Sequence, residues 1–123
     1  MNVITAEVKE IVTNGRVNLV KFGFGKETIN MLMLEMNLDL KVGARAELII
    51  KPTSISVLND FCDFENIFKA KVVEVTEGEI LANVTVEVNS VIIEAVTLKK
   101  RFKNEVFIAF KSNDIAVLRV LND

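Results

Sequence analysis

The sequence predicts an all-β protein that consists of two tandem, five-stranded small barrels. Three observations support this fold class. The apolar residues occur in short runs that are rich in Val, Ile, Phe and Thr. Turn residues separate these runs, and the same order of runs occurs twice within 123 residues. We therefore expect two domains, residues 1–60 and residues 65–123, which we call the first and second repeats.

The two repeats align along most of their length. Each begins with an asparagine at the start of a β-type run, and each ends with an apolar run followed by a lysine and a second short run. The aligned pairs of segments are 2–11 with 66–75, 48–51 with 108–111, and 55–58 with 115–118. Because the order is the same in both repeats, chance is a poor explanation for the match.

The expected strands follow from the positions of apolar runs and turn residues. Asn14-Gly15 is the strongest hairpin signal, since both residues tolerate positive φ. The strands are predicted at 3–12, 16–24, 27–34, 45–51 and 55–59 in the first repeat, and at 67–76, 79–88, 91–97, 105–111 and 114–121 in the second. One helical turn is predicted at 35–41. Closing five short strands into an OB-type barrel removes exposed sheet edges.

Composition excludes several classes of function. The net charge is −2, and the chain has no histidine and a single cysteine, Cys62. A Ser-His or Cys-His nucleophile is therefore impossible, and a His/Cys metal site within one chain is not expected. Early charges exclude a signal peptide, and no apolar run reaches membrane-spanning length, so we expect a cytoplasmic protein. Cys62 is expected to be a buried or half-buried apolar residue, in a linker, residues 61–65, that packs and holds the repeats together.

Each repeat resembles the molbindin family, whose domains are also called Mop or TOBE domains. Domains of this family begin with an Arg-Asn pair and a Val-x-x-Ile strand, continue through a glycine-containing hairpin and an Ile-Thr strand, and close with an Ile-Lys-Ala-Thr/Ser-x-Val segment. The matching segments of the first repeat are Asn2, 8–11, Asn14-Gly15, 40–43 and 48–55, and those of the second are Asn66, 72–75, Glu77-Gly78, 95–97 and 110–115.

The resemblance implies a tandem di-domain molbindin. Such proteins are cytoplasmic, assemble as trimers of di-domains, and hold molybdate or tungstate at domain and subunit interfaces without an organic cofactor. The implied function is oxyanion storage or homeostasis, and not catalysis. The residues that the resemblance places in oxyanion sites are Asn2, Lys51, Thr53 and Ser54 in the first repeat, and Asn66, Thr97, Lys111, Ser112 and Asn113 in the second.

The chemistry of these residue types suits a tetrahedral dianion. Such an ion needs several N–H and O–H donors that converge in a confined space, with a cation to offset desolvation. The segments 51–54 and 111–113 each place a lysine and hydroxyl or amide groups directly after an apolar strand. The simpler interpretation is that each segment is a solvated turn. Thr97 can likewise be an ordinary strand residue, and Asn2 and Asn66 can shape the start of a strand.

Other functions stay open at this point. The chain departs from the family pattern at Glu65, where the pattern has arginine, and at Met33 and Pro52. Glu65 and Met33 favour an alternative function, a degenerate TOBE-like module that contacts a partner protein without binding an oxyanion. The basic segment 99–103 is expected to be an exposed loop, with anion or nucleic-acid contact as the alternative. Nucleic-acid binding is poorly supported, because the net charge is negative and the phenylalanines lie in apolar runs.

Overall fold

The computed structural model describes residues 1–35 and 39–121, and within them it contains ten β-strands and one short 3-10 helix. The all-β prediction is confirmed. In the first repeat the strands are β1 (Asn2–Asn14), β2 (Val17–Phe24), β3 (Glu27–Met33), β4 (Arg45–Ile50) and β5 (Ser56–Leu58), with the 3-10 helix at Pro52–Ser54. In the second repeat they are β6 (Asn66–Glu77), β7 (Leu81–Val88), β8 (Val91–Leu98), β9 (Glu105–Phe110) and β10 (Ile115–Leu121).

Local sequence signals place the first hairpin to within one residue, since Asn14 ends β1 and the turn residues are Gly15 and Arg16. Gly15 and Gly25 have φ of 61° and 59°, and each lies in a hairpin turn, where a residue with a side chain would be strained. The 3-10 helix has Pro52 at its first position, and the sequence analysis did not predict it. The helical turn expected at 35–41 includes residues 36–38, which lie outside the described residues, and it stays a prediction.

The ten strands form two curled, five-stranded sheets whose last strands are exchanged. The first sheet has the order β10-β4-β1-β2-β3, and the second has the order β5-β9-β6-β7-β8. Strand β10 of the second repeat thus pairs antiparallel with β4 of the first, and β5 of the first repeat pairs with β9 of the second. Each sheet therefore takes four strands from one repeat and its fifth strand from the other.

Pairing registers show that the two repeats are structurally equivalent. A β-bulge interrupts β1 between Val8 and Glu10, and a matching bulge interrupts β6 between Val72 and Glu74. An equivalent hydrogen bond lies at the start of each bulge: the Val8 N–H donates to the Ala44 carbonyl, and the Val72 N–H donates to that of Asn104, both at 2.8 Å. The internal repeat seen in the sequence is thus a repeat of strand register and bulge position.

A hydrophobic core fills both sheets and joins them through aromatic rings. The Phe68 ring of β6 contacts Phe24 of the other sheet edge to face, with 6.4 Å between centroids, and also contacts Phe110 at 5.9 Å. These three rings are at most 5% exposed. The exchanged strands contribute to the core as well, since Val57 and Ile115 are both buried.

The basic loop 99–103 holds the exchanged strand β5 in place. Lys100 donates a hydrogen bond from Nζ to the Val57 carbonyl at 2.6 Å, and Lys103 forms an ion pair with Asp60 at 2.9 Å. Asn59 connects to the same loop through the backbone of Arg101 and Lys103. These contacts favour a structural role for the basic segment over an anion-binding or nucleic-acid-binding role.

The linker differs from its prediction. Cys62 is exposed, which corrects the expectation of a buried or half-buried residue. Phe61 contacts the Phe107 ring edge to face at 5.7 Å, yet it remains 64% exposed. All five linker residues are exposed, so the linker lies on the surface. None of the helical structure in the described ranges has the length and apolarity that a membrane-spanning helix requires.

Candidate oxyanion site

Each repeat has a closing turn directly after its fourth strand, and the two turns share one hydrogen bond. In the first, the Ser54 N–H donates to the Lys51 carbonyl at 2.9 Å. In the second, the Asp114 N–H donates to the Lys111 carbonyl at 3.0 Å. The two turns therefore share this hydrogen bond, and in the alignment of the repeats Pro52 is equivalent to Ser112. We call residues 51–54 and 111–114 the first and second closing turns.

Strand exchange brings the two closing turns to one cavity of about 250 Å³. Since β10 pairs with β4, the turn that precedes β10 lies beside the turn that follows β4. We call this space the junction cavity. It is lined by Met1, Ile49, Lys51 and Ser54 from the first repeat, and by Asn113, Asp114, Ile115 and Ala116 from the second. Three residues predicted for oxyanion sites, one from the second repeat and two from the first, thus share one cavity.

The junction cavity has donors of the kinds that an oxyanion needs. Lys51 supplies an ammonium group, Ser54 a hydroxyl and Asn113 a side-chain amide. Apolar side chains of β4 and β10 form part of the wall. The Asp114 carboxylate also lines the cavity and opposes an anion, so its charge offsets part of the attraction from Lys51.

The equivalent asparagines of the two repeats, Asn2 and Asn66, connect the sheets. The Asn2 amide donates to the Glu94 carbonyl and accepts from the Glu94 N–H, both at 2.8 Å. The Asn66 amide does the same with Asn30, donating at 2.9 Å and accepting at 2.7 Å. Both side chains are buried, and each pairs with the edge strand of the opposite sheet as a strand backbone would. Their amides therefore face backbone groups, and not the junction cavity.

Replacing Asn66 by alanine is expected to lower the free energy of unfolding by about 1–3 kcal/mol, because the Asn30 backbone N–H and carbonyl lose their partner. The measurement is urea denaturation followed by circular dichroism. Asn83→Ala, at an exposed position of β7, is the control and should change stability little. Equal effects of the two substitutions would contradict the structural role of Asn66.

Glu65 binds the donors of the second closing turn. Its Oε1 accepts a hydrogen bond from the Ser112 backbone N–H at 2.7 Å and another from the Ser112 hydroxyl at 2.9 Å. The hydrogen bond from the Ser112 backbone has the largest effect and lowers the pKa of Glu65, and the bond from the Ser112 hydroxyl and the charge of Lys111 lower it further. Desolvation acts in the opposite direction. The contact therefore stabilises the fold at neutral pH, and this contribution is lost as the pH falls through the lowered pKa.

The remaining predicted residues lie outside the junction cavity lining. Thr53 is exposed in the 3-10 helix, Lys111 is exposed after β9, and Thr97 is half-buried in β8. The sequence analysis did not identify Asp114 or Met1 as cavity residues. Asp114 follows a predicted site residue directly, but only the exchange of β10 shows that it faces the first repeat. Among the described residues, no three His, Cys, Asp or Glu side chains are grouped so as to hold a metal ion.

The fold defines a class of protein: two repeated β-sheets that exchange their closing strands and form a cavity where the repeats meet. No protein-family model matches the sequence, and no curated protein is detectably similar to it. Among solved structures, a crystal form of ModG grown from PEG with molybdate bound superposes with a TM-score of 0.85, at 17% identity and over 94% of each chain. ModG is described as a cytoplasmic molybdate-binding protein. This similarity shows a shared fold and supports the molbindin-like resemblance at that level.

Proposed function

We propose that this protein binds a tetrahedral oxyanion, molybdate or tungstate, at the junction cavity, and that it serves in intracellular storage or homeostasis of that ion. The single observation that carries the proposal is the convergence of Lys51, Ser54 and Asn113 on one cavity built from both repeats. The shared fold with molybdate-bound ModG gives further support. No acid–base pair or nucleophile is needed for this function, and the chain acts as a binding protein and not as an enzyme.

Charge and hydrogen bonding explain how the cavity would hold such an ion. The Lys51 ammonium offsets part of the cost of removing a dianion from water, and the Ser54 hydroxyl and Asn113 amide donate to its oxygens. Selection of molybdate or tungstate over sulfate would come from size, since molybdate and tungstate have longer bonds to oxygen and are larger than sulfate. Isothermal titration with all three ions tests the proposal, and no binding above sulfate would contradict it.

Lys51→Ala is expected to weaken molybdate binding about 10- to 100-fold, since a hydrogen bond to a charged group contributes about 1.5–3 kcal/mol. The matched control is Lys26→Ala, which removes an exposed lysine from the β2–β3 hairpin. Titration calorimetry of both variants provides the measurement. If both bind molybdate as the wild type does, the junction cavity is not the binding site.

A cytoplasmic homo-oligomer, with a trimer favoured, completes the proposal. Exposed apolar side chains on the described surface, among them Val3, Ile92 and Leu118, are available for contact between copies. Ligand contacts that span chains would stabilise the assembly when the ion binds. Native mass spectrometry with elemental analysis would measure the assembly and the molybdenum or tungsten content together. A monomer without either element would contradict this part of the proposal.

A second candidate function is supported by a specific observation. The donors at position 112 are bound by Glu65, and the equivalent position in the first closing turn is Pro52, which has no N–H. Both closing turns have thus lost free donors, which favours a degenerate module that contacts a partner protein. A stable partner captured from cell extract, together with no binding of any oxyanion, would support this function over the first.

A further inference from the structure

We infer that Glu65 is a built-in anion that occupies the oxyanion-recognising donors of the second closing turn and excludes a free oxyanion from them. The donors in question are the Ser112 N–H and hydroxyl, with the ammonium of Lys111 nearby. The inference rests on the proposed function, because it concerns donors of the second closing turn, which also contributes Asn113 to the junction cavity. Its consequence is that the two repeats bind unequally, with the junction cavity as the open site.

The geometry of the contact is that of a bound anion. One carboxylate oxygen accepts from a backbone N–H at 2.7 Å and from a hydroxyl at 2.9 Å, and two donors converging on one oxygen are what an oxyanion oxygen requires. Ser112 is buried, so an anion from solution would have to displace the carboxylate to reach these donors. Because Glu65 is tethered to Asn66, whose amide is fixed to Asn30, its local concentration is high.

The comparison of the two repeats supports a paired role for positions 65 and 112. Met1 is equivalent to Glu65, and Pro52 is equivalent to Ser112, by the alignment of both strands and turns. The repeat that has the donors at this position also has the carboxylate, and the repeat that lacks the N–H lacks the carboxylate as well. The Ser112 donors and the Glu65 carboxylate thus occur together in the second repeat, and the first repeat has neither the N–H nor the carboxylate.

The test follows the backbone amide resonance of Ser112 in ¹H–¹⁵N NMR spectra while sodium molybdate is added at neutral pH to the full chain. In the wild type the Ser112 N–H keeps its hydrogen bond to Glu65, so its resonance should move only slightly, through binding at the neighbouring cavity residue Asn113. In Glu65→Ala it should move and saturate, and calorimetry should show one more molybdate bound per chain. Glu65→Gln, which keeps the side-chain volume and one acceptor oxygen but not the charge, should show a smaller movement. If the alanine variant does not fold, Glu65→Gln provides the test in its place.

The control is Asp63→Ala, which removes an exposed carboxylate two residues away and should behave as the wild type. A Ser112 resonance that moves equally in wild type and Glu65 variants, or in none of them, would overturn the inference. The amide of Ser54 reports separately on the junction cavity. If it does not respond in any variant, the proposed function fails there, while the Ser112 result still decides the role of Glu65.

Discussion

Residues 1–64 expressed alone are expected not to form a folded monomer. Without β10 the edge of β4 is unpaired, and β5 has no sheet to join. Folding β5 back onto β4 would replace a seven-residue strand with a three-residue one. The buried Ile115 would also be lost, and one fully buried side chain of this kind contributes about 1.5–3 kcal/mol. That is a large share of the total stability of a small protein, which is about 5–15 kcal/mol.

Amide dispersion in NMR spectra and size-exclusion chromatography with light scattering measure this outcome. The fragment should be unfolded, or should associate with other copies through its free strand edge. Mixing the fragment with residues 65–123 should restore the dispersed spectrum of the full chain. This mixture is the control, because it shows that the separately expressed fragment is still able to fold. A well-dispersed spectrum from monomeric residues 1–64 would show that the repeat completes its own sheet.

Phe68→Ala is expected to lower the free energy of unfolding by about 3–5 kcal/mol, the usual cost of truncating a buried phenylalanine. The Phe68 ring contacts Phe24 in the opposite sheet and Phe110 in its own, so its loss weakens the packing between sheets as well as within one. Urea denaturation followed by circular dichroism measures the change.

Phe61→Ala is a matched control for this substitution. Phe61 also makes an edge-to-face contact, with Phe107, but it lies in the linker and is 64% exposed. Its truncation should change stability by no more than about 1 kcal/mol, since an aromatic pair contributes about 0.5–1.5 kcal/mol and this one is in water. A loss as large as that of Phe68→Ala would mean that the linker holds the sheets together, as the sequence analysis expected.

Much of the fold follows from local sequence. The order and type of the strands follow from apolar runs, and the turns at Gly15 and Gly25 follow from residues that tolerate positive φ. The exchange of β5 and β10 could not be predicted in this way. Both repeats present nearly the same β4 or β9 edge, so a short terminal strand finds an equivalent partner in either repeat. The choice depends on the path of the chain through the closing turn, which local signals do not specify.

The candidate site likewise has features that local sequence predicts and features that depend on the strand exchange. The sequence marked Lys51 and Lys111 by their recurrence after equivalent strands, and the structure gives both the same turn. It could not show that Asn113 joins Lys51 in one cavity, because that neighbourhood depends on the strand exchange. It marked Glu65 as a departure from the family pattern, but not as the acceptor for Ser112, since the two residues are far apart in sequence.

The pairing of Asn2 with Glu94, and of Asn66 with Asn30, has a consequence for mutational tolerance. Each asparagine contacts only main-chain atoms across the gap between sheets, and these atoms are the same for every residue type except proline. Position 94 can therefore hold other residue types, whereas Asn30 also donates from its own side-chain amide to the Glu65 carbonyl at 3.0 Å. At positions 2 and 66, by contrast, any substitution should remove part of the pairing, because no other side chain of that length offers a donor and an acceptor together.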